Sequence, residues 1–235
     1  MLIYLLDTSG PTAGVALWQD GEIRYEAVVS NQLTHSEAAL PMTEEAYAKA
    51  GLKPEETDYF AVVSGPGSFT GVRIGVTTVK ALGKAFGKPC VAVSALEAMS
   101  RGQGLTDGVI CPMQNARRGQ VYGAAFDGLT GRRLLEDQPL ALTELIGRCR
   151  ELADGRLILA AGDGMTAYRK ELEAMALPSL RFADAAHAYL RPAAGAVLAS
   201  ERLAEAVDAD HLSPCYLRPP QAVRQKNLVE RASHE

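Results

Sequence analysis

Val63-Ser64-Gly65-Pro66-Gly67-Ser68-Phe69-Thr70-Gly71-Val72-Arg73-Ile74-Gly75 is the stretch that decides the reading of this chain. The apolar run Tyr59-Phe60-Ala61-Val62-Val63 leading into it reads as a buried strand. That strand ends in a Gly-Pro-Gly turn and a helix follows. Gly67, Gly71 and Gly75 recur every four residues, on one helical face, where another backbone can come close. A glycine inside a helix costs about 1 kcal/mol relative to alanine, so a series of them needs a use. One use is a phosphate cradle, built from the free N–H groups at a helix N-terminus. Another is a close-packing seam for a second helix, and the plainest is close packing of the helix on its own sheet.

Two nucleotide motifs are excluded. A P-loop, G-x-x-x-x-G-K-[ST], needs Lys followed by Ser or Thr where Val72-Arg73 stand. The spacing G-x-G-x-x-x-G also departs from the dinucleotide fingerprint G-x-G-x-x-G.

The chain has 235 residues, 47% of them hydrophobic and 22% charged, enough for one large domain or two small ones. A net charge of −4 leaves no global field to attract nucleic acid, only room for a local basic patch. Cys90, Cys111, Cys149 and Cys215 are scattered without a C-x-x-C pair, as expected of buried, reduced thiols. His35, His187, His211 and His234 are isolated, with no H-x-x-x-H or H-E-x-x-H to chelate a metal. G-x-S-x-G is absent, so no nucleophile elbow is present. The opening strand Leu2–Leu6 is too short for a signal peptide, and no apolar run reaches the roughly 18 residues of a membrane span. A cytoplasmic protein without a membrane partner is expected.

Working outward, Leu2–Leu6, Gly14–Trp18 and Ile23–Val29 read as three strands, the last two joined by the turn Asp20-Gly21. Thr34-His35-Ser36-Glu37 fits a capping box, opening a helix that reaches about Ala50 and stops at Gly51. Pro41 should kink that helix or delay its start. The strand at Tyr59–Val63 and the glycine helix follow, then a strand at Val91–Val93. The second half repeats the order: strands at Val109–Met113, Gln120–Phe126 and Arg133–Gln138, a helix over Thr143–Ala153 and a strand at Leu157–Ala161. Gly162-Asp163-Gly164 then turns into a helix reaching Met175, and a last helix runs from Pro192 to Val207.

Strand–strand–strand–helix–strand–helix, taken twice, is the layout of the actin/hexokinase/Hsp70 superfamily. The fold expected is therefore α/β, a duplicated actin-like ATPase (RNase H-like) fold of two βββαβα lobes with a cleft between them. The lobes are placed at 1–100 and 101–218, with a flexible polar tail over 219–235.

In such a layout Asp7-Thr8-Ser9, at the first hairpin, suits a phosphate and its Mg²⁺; the plainer reading is an ordinary Asx or Ser turn. Gly162 and Gly164 fall where an adenosine-contacting turn would lie. ATP or ADP with Mg²⁺ is thus an optional ligand at Asp7, Thr8, Ser9, Gly162 and Gly164. The second hairpin, Gln114-Asn115-Ala116-Arg117-Arg118-Gly119, offers Asn115 where a working ATPase wants a carboxylate. An amide cannot act as a base and is a poorer Mg²⁺ ligand. Arg117 and Arg118 suit a phosphate or a partner's carboxylates, or are solvated turn residues.

Ser64 to Arg73, with Asp7-Thr8-Ser9, Thr34-His35-Ser36-Glu37, Ala116-Arg117 followed by Gly119-Gln120-Val121-Tyr122, and Pro214-Cys215-Tyr216-Leu217-Arg218, resembles the bacterial TsaB (YeaZ) family over nearly the whole chain. The resemblance implies a part in making the N6-threonylcarbamoyladenosine of tRNAs that read codons starting with A. It implies a non-catalytic relative of the catalytic subunit TsaD, which it joins through first-lobe helices, with the ATPase TsaE as a further partner. It also implies a homodimer in isolation, tRNA met through the complex, no catalytic residue, no metal ligand and no required cofactor. The histidine pair expected of TsaD is missing, since Ala39 lies four residues after His35, and Asn115 replaces the family's usual Asp before Ala-Arg. On this reading the glycine stripe is a seam facing the helix opened by Thr34 and the matching helices of TsaD or of a second copy. The partner or dimer surface is then Thr34, His35, Glu37, Gly67, Phe69, Thr70, Gly71, Arg73 and Gly75. Leucine at Gly71 or Gly75 should then abolish pairing and spare the fold.

Two other functions compete. An ATP-dependent small-molecule kinase of the same superfamily would need Asp7 and a second carboxylate. A peptidase would need a nucleophile or zinc ligands, for which the sequence has no set.

Overall fold

The computed structural model describes residues 1–30 and 34–218. The first lobe comprises β1 (Leu2–Asp7), β2 (Ala13–Gln19), β3 (Glu22–Val29), α1 (His35–Ala50), β4 (Tyr59–Gly65), α2 (Phe69–Phe86) and β5 (Cys90–Ser94). A linking helix, α3 (Ala95–Arg101), leads to β6 (Gly108–Arg117), β7 (Gln120–Asp127), β8 (Arg133–Ala141), α4 (Leu142–Ala153) and β9 (Leu157–Ala161). Then come α5 (Asp163–Ala167), α6 (Arg169–Ala174), β10 (Leu180–Phe182) and α7 (Pro192–Ser200).

The two sheets have the same order, β3-β2-β1-β4-β5 and β8-β7-β6-β9-β10. In each, three strands form an antiparallel meander, and two more add in parallel beside its first strand. This is the duplicated actin-like α/β fold.

β1 is buried along its whole length because helices cover both faces of its sheet. Leu2, Tyr4 and Leu6 pack under α1 and α2, whereas Ile3 and Leu5 face α3 and α7. That two-sided cover explains a continuous apolar run rather than an alternating one. The buried phenols are satisfied: Tyr4 shares a 2.6 Å hydrogen bond with the Thr43 hydroxyl, and Tyr47 one of 2.6 Å with Thr57. At the start of α1, the Glu37 carboxylate accepts from the Thr34 N–H at 2.9 Å, and Gly51 ends the helix at φ 67°.

Several elements differ from the sequence expectation. α1 starts on time and continues through Pro41, which is exposed, so solvent can reach the Glu37 carbonyl that proline cannot serve. The helix after Gly162 breaks at Tyr168 into α5 and α6, and α7 stops at Ser200. α3 and β10, both short, are additional. Although the boundary at 101–218 groups α7 with the second lobe, α7 packs on β1 and β2 of the first sheet. Gly14 makes this approach feasible, since a Cβ there would lie 2.3 Å from the Pro192 side chain. The tail expected over 219–235 lies outside the described residues.

The lobes are tied by a half-buried ionic cluster. Glu97 of α3 accepts from Arg133 of the second sheet at 2.7 Å and from Arg202, beyond α7, at 2.6 Å. Arg133 also pairs with Asp137, whose other oxygen accepts from the Ser94 hydroxyl.

Candidate interlobe cleft

The glycine stripe does not face outward. A Cβ on Gly67 would lie 2.3 Å from the Ser9 carbonyl oxygen, and one on Gly71 2.0 Å from that of Thr8. On Gly75 it would meet the Thr8 hydroxyl at 2.6 Å. The stripe is therefore the bed on which the loop after β1 lies, and Gly71 and Gly75 are buried inside the chain. Four-residue spacing correctly marks a close approach, but what approaches is the chain's own backbone. Of the helix opened by Thr34, His35 comes near, its ring 3.2 Å from the Cβ position of Gly71. The expectation that leucine at Gly71 or Gly75 would spare the fold is thus overturned: the side chain would occupy the place of Thr8.

Hydrogen bonds fix this loop further. The Thr8 hydroxyl donates to the Gly71 carbonyl at 2.8 Å, and the Ser68 N–H donates to the Ser9 carbonyl at 2.8 Å. His35 Nε2 lies 2.9 Å from the Gly10 carbonyl oxygen. Asp7, 2% exposed, accepts from the Ser9 N–H at 2.8 Å. Burial pushes its carboxyl above the usual value, and the hydrogen bond from the Ser9 N–H offsets only part of that rise.

Between the lobes lies a cleft of about 530 Å³. One wall carries Ser9, Gly10 and the start of α2; the other carries Gln114 to Arg117, Tyr122 and Asp163; Cys215 to Arg218 run along it. Ser9 and Gln114 are 1% and 3% exposed, and Ser9 Oγ and Gln114 Oε1 have no hydrogen-bond partner among the described residues. Gln114 Oε1 lies 3.0 Å from the Cβ position of Gly67, which also rests on the Ser9 carbonyl. Buried polar atoms without partners are uncommon, and here they mark a floor prepared for a polar ligand or water.

Of the residues expected to hold a phosphate, only Ser9 lines the cleft. Asp7 and Thr8 are buried and outside its lining, with Asp7 Oδ1 and the Thr8 hydroxyl hydrogen-bonded, and Gly164 is buried against Met113. Gly162, at φ 103°, passes so close that a Cβ would lie 2.0 Å from the Met113 carbonyl oxygen. Asp163 does line the cleft; its carboxyl is pushed up by burial and partly drawn back by the N–H groups of Asn115 and Gly164. Nothing in the sequence marks Gln114 as buried, whereas Asp163 was visible between its two glycines.

The side chain of Asn115 is occupied in shaping the second hairpin. Its Oδ1 accepts from the Arg117 N–H at 2.8 Å and from the Tyr168 hydroxyl at 3.1 Å. Tyr168 in turn accepts from the Gly119 N–H at 3.0 Å. Among the described residues no group of three or more His, Cys, Asp or Glu side chains could hold a metal ion.

Of the expected partner surface, Thr34, Glu37, Thr70 and Arg73 are exposed, and His35, Gly67 and Phe69 are half-buried. Phe69 stacks on Tyr216 with ring centres 5.0 Å apart, and Arg73 lies over Phe69 and donates to the Tyr216 hydroxyl at 2.8 Å. Cys215 anchors this C-terminal segment through its N–H, which donates to the Ser64 carbonyl at 2.8 Å. Arg218 lies over the Tyr122 ring of the other lobe. Among the described residues no helix is long and apolar enough to cross a membrane.

Comparison with known proteins agrees with the topology. The family model of TsaD, tRNA N6-adenosine threonylcarbamoyltransferase, matches residues 28–232. The chain is 32% identical over 224 residues to the tRNA threonylcarbamoyladenosine biosynthesis protein TsaB of Bacillus subtilis, covering 94% of this chain and 96% of that one. The TsaB of Escherichia coli is 32% identical over 128 residues, 54% of this chain and 55% of that protein. Among solved structures, YeaZ from Pseudomonas aeruginosa superposes with a TM-score of 0.70 at 24% identity, over 92% of this chain and 99% of its own, and shares the fold. With a relative matched from end to end and the fold shared by YeaZ, the chain belongs to the TsaB (YeaZ) family.

Proposed function

We propose that this chain acts in the cytoplasm as a non-catalytic subunit in the synthesis of N6-threonylcarbamoyladenosine on tRNA, supporting a catalytic protein of the TsaD family. The observation that carries this reading is the outer face of the α1–α2 pair. The two helices pack side by side on the first sheet, held down by the glycine bed. Their outer surface presents Glu37, Leu40 and Glu44 from α1 and Thr70, Arg73, Thr77 and Ala81 from α2, all exposed. Leu40, 54% exposed, is a large apolar side chain among small and charged neighbours. Two adjacent helices that expose a leucine among small and charged side chains suit a matching helix pair from a homologous lobe. A second copy of the chain would meet the same face isologously, so self-pairing and heteromeric pairing exclude one another. In this reading the chain needs no cofactor of its own, TsaE joins the pair, and tRNA is met in the complex.

Light scattering after size exclusion, on the chain alone and mixed with its cognate TsaD-family protein, tests this. A heteromeric peak should replace any homodimer peak, and Leu40→Glu should remove it without lowering the melting temperature. No complex, with or without TsaE and ATP, overturns the proposal. A kinase reading has no supporting observation, because Asp7 does not front the cleft.

A further inference from the structure

Seven arginines, Arg101, Arg133, Arg148, Arg156, Arg169, Arg191 and Arg202, are each paired with a carboxylate. Arg24, Arg73, Arg132, Arg150 and Arg181 have no such partner among the described residues either, but they are scattered in sequence, whereas three further ones belong to the two segments at the cleft. Arg117 and Arg118, in the turn between β6 and β7, and Arg218, over Tyr122, have no carboxylate within ion-pair distance among the described residues. Arg117 and Arg218 line the cleft with Asp163, whose carboxyl is held toward its neutral form by burial, and Arg118 adjoins Arg117 in the turn.

Their backbone makes the choice costly. Arg117 and Arg118 hold φ of 63° and 56°, the left-handed region where Gly or Asn loses least. Two side chains kept at such a price in strain point to a use for the side chains. The same mouth holds the N-terminus of α2, an 18-residue helix whose first N–H groups have no carbonyl behind them. Beneath it lie the unpartnered, buried Ser9 Oγ and Gln114 Oε1. Aromatic rings stand beside the cations: Tyr122 under Arg218, and Phe69 stacked with Tyr216 and covered by Arg73.

We infer that the mouth of the interlobe cleft is an RNA-contacting surface, on which Arg117, Arg118 and Arg218 meet backbone phosphates beside the aromatic rings. Cations continue from inside the cleft, at Arg117 and Arg218, to the outer turn at Arg118, which lies outside it. One free phosphate would need them convergent, whereas a polynucleotide offers phosphates in series. Interleaved arginine and aromatic side chains are the chemistry of unstacked RNA. The inference rests on the proposed role in tRNA modification and adds to it where this subunit touches the RNA.

The test uses the complex of this chain with its cognate TsaD-family and TsaE proteins, and a labelled, unmodified tRNA transcript followed by anisotropy. The variant is Arg117→Asn with Arg118→Gly, which removes both charges and relaxes the turn. The complex should elute unchanged. Its tRNA affinity should fall about tenfold, and the salt dependence should shrink by about 0.7 to 0.9 per lost phosphate contact. Arg218→Ala should weaken binding in the same direction. Unchanged affinity and salt dependence in an intact complex overturn the RNA surface and leave the partner reading standing. Failure of the unaltered chain to enter the complex instead overturns the partner reading, and the inference with it. Loss of ATP binding by the free chain, with tRNA affinity retained, assigns the mouth to a free nucleotide and also overturns it.

Discussion

The two lobes share one strand order and close their first hairpins in opposite ways. In the first lobe the loop after β1 is pressed into the protein. Thr8 and Ser9 lie in the groove left by Gly67, Gly71 and Gly75, and a 63-residue sequence separation is closed by the bond from the Thr8 hydroxyl to the Gly71 carbonyl. In the second lobe the loop after β6 stands out: Asn115 and Arg117 to Gly119 are exposed, and the Tyr168 hydroxyl holds the turn. The helices follow suit. α2 is a single 18-residue helix, whereas α5 and α6 are short pieces broken at Tyr168. One lobe is therefore built as a rigid platform for α1 and α2, and the other presents a loop to the cleft.

The largest effect should come from filling the groove. Gly71→Ala places a methyl 2.0 Å from the Thr8 carbonyl oxygen, and backbone on both sides prevents relief. It should cost about 3 kcal/mol in urea unfolding. Gly164→Ala is the second-lobe counterpart. Its methyl meets the flexible Met113 side chain at 3.0 Å and backbone at 3.1 Å, so about 1 kcal/mol is expected. Equal losses at the two positions would break the contrast between a rigid and an adaptable lobe.

These glycines show what could be read from the sequence and what could not. Spacing of four fixes which face of α2 is bare, and the repeated strand and turn signals give both lobes and their order. Spacing carries no information on what fills the bare face. The filling is the loop at Thr8 and Ser9, some 60 residues earlier, as the 63-residue span of the Thr8–Gly71 bond shows. For the same reason the neighbours of α7 are not legible: Pro192 marks its start, but only Gly14, far back in β2, shows where it packs. The cleft was legible in outline through its two hairpins. Its floor was not, because Gln114 reads as a surface residue next to Asn115 until the lobes come together over it.

Asp7 sharpens the contrast through pH. Its folded-state pKa is raised by burial, above the usual 3.8, so the folded protein holds this proton more tightly than the unfolded chain does. As pH rises from 3.8 through the folded value, the unfolded state loses its proton first, and this group's contribution turns against folding. Asn keeps an acceptor for the Ser9 N–H and carries no charge. Asp7→Asn should therefore be more stable than the unaltered protein at neutral pH, and the difference should vanish below the ordinary carboxyl value. The exposed Asn115 of the second lobe offers no such burial, so Asn115→Asp should show no matching loss at neutral pH. Parallel stability curves for Asp7→Asn and the unaltered chain would show that Asp7 is not held as a strained, buried acid.

The smallest effect should fall on the second hairpin, whose turn is braced by the Tyr168 phenol. The Tyr168 hydroxyl accepts from the Gly119 N–H and donates to Asn115 Oδ1, at 3.0 and 3.1 Å. Tyr168→Phe keeps the ring and removes both bonds. The groups released are exposed and gain water in exchange, so the global cost should be about 1 kcal/mol. The local effect should be clearer than the global one: amide exchange at Gly119 should accelerate, while exchange in α2 under Thr8 stays slow. If Gly119 kept its protection, the turn would be held by its own left-handed backbone, and the presentation of Arg117 and Arg118 at the cleft would not depend on α5 and α6. If α2 also accelerated, the two hairpins would belong to one cooperative unit, and the platform and the loop would not be separable parts of the molecule.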